Sequence, residues 1–145
     1  MIKIDYPAYT YKIKKENETE YIFDPFRKKW LQLTPEEWVR QNILQYLIQV
    51  KNYPASLIAI EKEIYLGELK KRCDIVVYNR NAHPWMILEC KSREIPLTDA
   101  ALLQILRYHI TLPAPYLVIT NGSYCYGYEK KDEQFYEMQS FPAYV

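Results

Sequence analysis

Two apolar runs constrain the fold most: WMIL at 85–88 and YLVIT at 116–120. Runs this apolar, with so little polar alternation, read as buried strands, and the second as a central one. The segment between them, LTDAALLQILRYHITL, reads as a helix capped at Thr98 and broken by PAP. A helix between two strands lets the chain cross over, so the pair is predicted to run parallel within a mixed sheet.

The other elements follow from local signals. TPEEWVRQNILQYLIQV opens on Thr34 as N-cap, Pro35 at the first helical position and Glu37 as the third member of a capping box. Val39, Ile43, Leu47 and Val50 recur at helical spacing, which predicts a helix over about 35–51, ended by NYP. LIAIEKEIYL, CDIVVYN and WMILECK read as three strands joined by short turns at GELKK and RNAHP, an antiparallel meander. SYCYGYEK and QFYEMQ read as a closing hairpin, while residues 1–33 hold only short alternating pieces such as YTYKI and EYIF. The expectation is one α/β domain over 1–145, with an N-terminal extension at 1–33, a core at about 34–125 and a C-terminal hairpin at 124–140.

Composition excludes several classes. The 145 residues suffice for one real core, and 49% hydrophobic with 26% charged residues is globular. A net charge of +1 gives no bulk attraction for nucleic acid, so any such contact must be local. Cys73, Cys90 and Cys125 are odd in number and lack zinc-ligand spacing. No apolar run reaches membrane-spanning or signal-peptide length, which gives a cytoplasmic, non-membrane expectation.

The third strand ends in Glu89-Cys90-Lys91, an acid and a base at the end of a buried run. Burying either is costly, so a chain needing only a strand has little use for them there. Strand alternation gives Glu89 and Lys91 one face and Cys90 the other. Counting outward from RNAHP brings Asp74 to the same sheet end as Glu89. Two carboxylates suit Mg²⁺, with Mn²⁺ as substitute, and a lysine beside them suits a reacting water. The plainer reading of an isolated ExK is a surface ion pair; the apolar strand and the upstream Asp argue against it here. On the first helix Glu36 lies near the middle of the apolar stripe and Glu37 on its edge. Glu36 is therefore taken as the helix carboxylate, against a simple dipole-favoured acid; the capping box accounts for Glu37. Arg40, one turn on, is placed to pair with Glu36 or with phosphate. Gln104 and Tyr108 share a helix face. His109 has no partner in these patterns and reads as structural. Arg27-Lys28-Lys29 and Lys70-Lys71-Arg72 read as basic turns, with Lys71 and Arg72, just before Asp74, as phosphate contacts.

These motifs resemble the PD-(D/E)xK nuclease superfamily, with Cys73 where its proline stands. They resemble in particular the N-terminal nuclease domain of type I restriction enzyme R subunits. There EExVRQ…YL, DIVVY, ECK and QxxRY occur in this order, matched here over about 30–125. The resemblance implies a restriction-endonuclease-like fold, a mixed β-sheet flanked by helices with an αβββαβ core, and metal-dependent DNA cleavage. It implies that Asp74, Glu89 and the Cys90 carbonyl hold the metal, helped by Glu36. It also implies that Lys91 positions water, and that Gln104 and Tyr108 hold the site or the substrate. DNA is the expected partner, with other restriction-system subunits or a motor protein alongside, since no GxxxxGK[ST] occurs in these residues. The alternative is a non-catalytic DNA-binding or assembly module that keeps the fold.

Overall fold

The structure, a computed structural model, describes residues 1–144. The chain begins with a small three-stranded antiparallel sheet, β1 (Ile13–Glu16), β2 (Thr19–Asp24) and β3 (Lys29–Gln32). The third of these strands was not anticipated: RKKW reads as a turn, but Trp30 pairs with Phe23 across strands and their rings meet edge to face at 5.4 Å.

Helix α1 (Pro35–Gln45) follows, and the Thr34 hydroxyl accepts from the Glu37 N–H as expected of an N-cap. The predicted helix to residue 51 changes character near its end. Residues Tyr46–Val50 form a π turn, and the Lys51 N–H reaches back to the Tyr46 carbonyl.

The main sheet has six strands in sequential order: β4 (Ile58–Leu66), β5 (Leu69–Tyr78), β6 (Pro84–Cys90), β7 (Tyr116–Thr120), β8 (Cys125–Lys131) and β9 (Gln134–Met138). Helix α2 (Asp99–His109), capped by Thr98, carries the chain from β6 to β7. That pair is parallel and every other pair is antiparallel, so the expected αβββαβ mixed sheet is what forms. The hairpin β8–β9 extends this sheet rather than standing outside it. The β4–β5 turn is tighter than GELKK suggested. Leu66 pairs with Leu69, and only Gly67 and Glu68 turn, with Gly67 at φ +59°.

Alternation along the strands supplies two cores. Ile75, Val77, Met86, Leu88 and Val118 face α1, packing with Val39, Ile43, Leu44 and Leu47. Val76, Ile87, Leu117 and Ile119 face the other way, with Leu102 of α2 and Leu112. The result is a sheet between two helices, which explains why the central strands lack polar residues. Among the described residues no helix is long and apolar enough to cross a membrane. Truncating Ile43, fully buried on α1, to alanine is expected to cost about 2–5 kcal/mol of stability by chemical denaturation.

Candidate functional site

The site begins where two strands part. Pairing of β5 with β6 stops at Ile75↔Leu88. Beyond it the Cys90 N–H donates to a side chain instead, Asp74 Oδ2 at 2.7 Å. On its other edge β6 stays zipped to β7, with the Lys91 N–H on the Thr120 carbonyl at 2.8 Å. In a strand successive residues aim their backbone groups to opposite edges, so the Cys90 carbonyl points, like its N–H, toward β5. The neighbouring ladder is disturbed at the same level. Glu61, opposite Asp74 in the β4–β5 register, has φ +53°, a conformation that costs a non-glycine residue energy.

Around this opening lies a charged network. Arg40, only 5% exposed, contacts Glu37 at 2.6 Å, Glu36 at 3.2 Å, Asp74 at 3.2 Å and Glu61 at 3.7 Å. Arg27 reaches in from the small sheet to Asp24, to Glu37 at 3.1 Å and to Glu61 at 3.4 Å. Gln41 Nε2 donates to Glu37, and Arg72 meets Glu61 at 3.1 Å. Opposing forces act on the partly buried Asp74. Burial and then the nearby Glu89 charge push its pKa up, while the Cys90 N–H and Arg40 pull it down, and the upward causes prevail.

Glu89 and Lys91 line a cleft of about 480 Å³ together with Arg72, Gln104, Tyr108 and His109. The expected sharing of a face by Glu89 and Lys91, and by Gln104 and Tyr108, holds, and the two faces look at each other across this cleft. Cys90 lies in the opposite core, where burial drives its thiol pKa well up and leaves the sulfur unreactive. Glu89 Oε1 lies 3.2 Å from His109 Nε2, both groups largely buried.

Several expectations need correction. Glu37, not Glu36, is the buried helix carboxylate, with side chains 8% and 47% exposed. Glu36 stands in the first turn of α1, about half exposed, where its carboxylate meets Arg40. The capping box is not closed either: the Thr34 N–H goes to the Gln32 carbonyl, and the Glu37 carboxylate turns to the arginines. Arg40 takes the first of its two expected roles, pairing with Glu36 as well as with three further carboxylates, while its Nε is buried without a partner. Lys71, 7% exposed, donates to the Tyr108 carbonyl and sits 3.5 Å from the Tyr108 ring centroid, at the end of α2 where a cation is favourable. Burial lowers its pKa. Of the basic residues expected at DNA, Arg72 alone is open to the cleft, 64% exposed.

Sequence reasoning missed Arg27, Glu61 and His109. Arg27 sat in an apparently solvated turn and Glu61 in an ordinary strand pattern. His109 directly follows Tyr108, which was the available signal.

A divalent cation suits this centre by donor type and charge. Five carboxylates (Asp24, Glu36, Glu37, Glu61, Asp74) pair with three arginines (Arg27, Arg40, Arg72), while Glu89 has no arginine or lysine partner among the described residues. Among the described residues no three metal-type side chains converge.

An α/β/α domain with a carboxylate pair and a lysine at a splayed sheet end is the class that fold and site define. Residues 35–142 match the family model described as type I restriction enzyme R protein N terminus (HSDR_N), and the chain belongs to that family. It is also similar to a crystal structure of a DUF820 protein from Anabaena variabilis ATCC 29413, described as a candidate nuclease. That likeness has 11% identity and a TM-score of 0.49, over 87% of this chain and 80% of that one. No curated protein matches the sequence.

The raised Asp74 pKa gives a signed prediction. Between the ordinary Asp value and the raised one, the folded protein holds a proton the unfolded chain has lost, so metal-free stability falls as pH rises through that window. Asp74→Asn removes this slope while keeping an acceptor for Cys90. The variant should be more heat-stable than the wild type at neutral pH and lose that advantage toward pH 4, as thermal melts across pH will check.

Proposed function

We propose that this domain hydrolyses DNA phosphodiesters, with Mg²⁺, or Mn²⁺ in its place, held by Asp74, Glu89 and the Cys90 carbonyl. The observation that carries the reading is the shared sheet end: Asp74 bonded to Cys90, and Glu89 and Lys91 lining one cleft with Gln104 and Tyr108. The bound cation supplies Lewis-acid activation of water and phosphate.

The chain's own residues do the rest. Asp74 is oriented by the Cys90 N–H and Arg40, so its carboxylate is fixed before substrate arrives. Lys91 makes no ion pair among the described residues, so its ammonium is available to orient the attacking water and a phosphate oxygen. Arg72 offers a guanidinium at the cleft rim for a neighbouring phosphate. Gln104 and Tyr108 present an amide and a half-exposed ring to the strand being cut. Glu36, bridged to Asp74 through Arg40, assists on that side. Other restriction-system subunits or a motor protein would deliver the DNA.

Lys91→Ala tests the assignment, because it removes the water-orienting group and leaves both carboxylates. Cleavage of plasmid and linear duplex in low salt with Mg²⁺ or Mn²⁺ should fall about 10²–10⁴-fold, with metal and DNA affinity little changed. Undiminished cleavage by the variant contradicts the assignment. DNA binding without cutting by the wild type, with either metal, points instead to a non-catalytic binding or assembly module.

A further inference from the structure

His109 lines the cleft, is buried, and has no role in the scheme above. It closes the last turn of α2, is 3% exposed, and brings Nε2 to 3.2 Å from Glu89 Oε1. Its other ring nitrogen, Nδ1, is buried with no hydrogen-bond partner. The ring is wedged against its neighbour Tyr108, centroids 5.3 Å apart, and Lys71 ties the Tyr108 carbonyl to β5. This end of α2 is thus pinned, and His109 with it. Glu89 differs from Asp74 in one respect: no arginine or lysine pairs with it among the described residues.

We infer that His109 is a positioning residue for Glu89, its ring donating from Nε2 to the carboxylate so that Glu89 is aimed at the cleft. The inference rests on the reading of Glu89 as a metal ligand. A ring that offers one N–H from Nε2 fits the task, because an arginine in this place would compete with the cation for both carboxylate oxygens. Carboxylate ligands are generally held by such outer partners, whose loss typically weakens metal affinity about 10–100-fold.

The test is Mn²⁺ titration calorimetry on wild type, His109→Leu, His109→Gln and Glu89→Gln, each checked for folding by circular dichroism. His109→Leu fills the space without a donor and should weaken Mn²⁺ binding about 10–100-fold. His109→Gln carries an amide N–H toward the same oxygen and should recover most of that loss, a rescue that a purely space-filling role does not give. If Glu89→Gln loses Mn²⁺ while folded His109→Leu binds like wild type, the role of His109 is overturned and Glu89 keeps its own. If neither substitution changes Mn²⁺ affinity, both assignments fall. A readout on the unmutated protein stands even if the leucine variant does not fold. The ¹⁵N imidazole shifts of His109 should report a proton on Nε2, and an unprotonated Nε2 overturns the inference.

Discussion

The domain turns on one substituted hydrogen bond. Where β5 and β6 should exchange their next backbone pair, the Asp74 carboxylate takes the Cys90 N–H. The bond satisfies a donor that would otherwise be orphaned, and so lets two central strands part inside a well-packed sheet. Everything chemical follows from that parting. Glu89 and Lys91, beyond the last regular rung, enter a cleft, and the Cys90 carbonyl is left on the β5 side. Because β6 remains fixed to β7, the opening is rigid on one side. Preorganisation of this kind is what a site needs if its ligands are to be held without induced movement.

The opposing cost is electrostatic. Asp74 and Glu89 repel one another and Asp74 is also desolvated, as its raised pKa records. Arg40 offsets part of this, yet it is itself shared among Glu36, Glu37 and Glu61. Arg27 brings the small N-terminal sheet into the same network through Asp24 and Glu37. The extension is thus tied to the centre by charge as well as by Ile2, which packs into the α1-side core. Partly buried ion pairs contribute little net stability when intact but are expensive to break one partner at a time. The network therefore acts more to fix positions than to hold the fold, which the two apolar cores do.

How much of this could be read from the sequence depended on how local the signal was. The caps at Thr34 and Thr98, the apolar central strands and the crossover between them are local or periodic, and the structure has them. The alternation that sets Glu89 and Lys91 against Cys90 is likewise fixed by strand geometry. What failed was phase between elements. Lys71 read as a loop residue because β5 seemed to begin at Cys73. The strand begins at Leu69, so Lys71 shares the side of Cys73 and meets the end of α2. Glu37 read as a cap because the capping-box spacing is present, but two arginines from elsewhere in the chain outcompete the backbone for its carboxylate. For His109 the one local signal was its place after Tyr108, which does not say that α2 would turn it onto Glu89.

The central claim is that the parted strand ends form one cation site, and a crystal soaked in Mn²⁺ tests it most directly. The account predicts an anomalous-scattering peak between the Asp74 and Glu89 carboxylates, within reach of the Cys90 carbonyl. A structure at saturating Mn²⁺ with no peak there, or with the ion bound elsewhere and Asp74 still engaged only by Arg40 and Cys90, would contradict it.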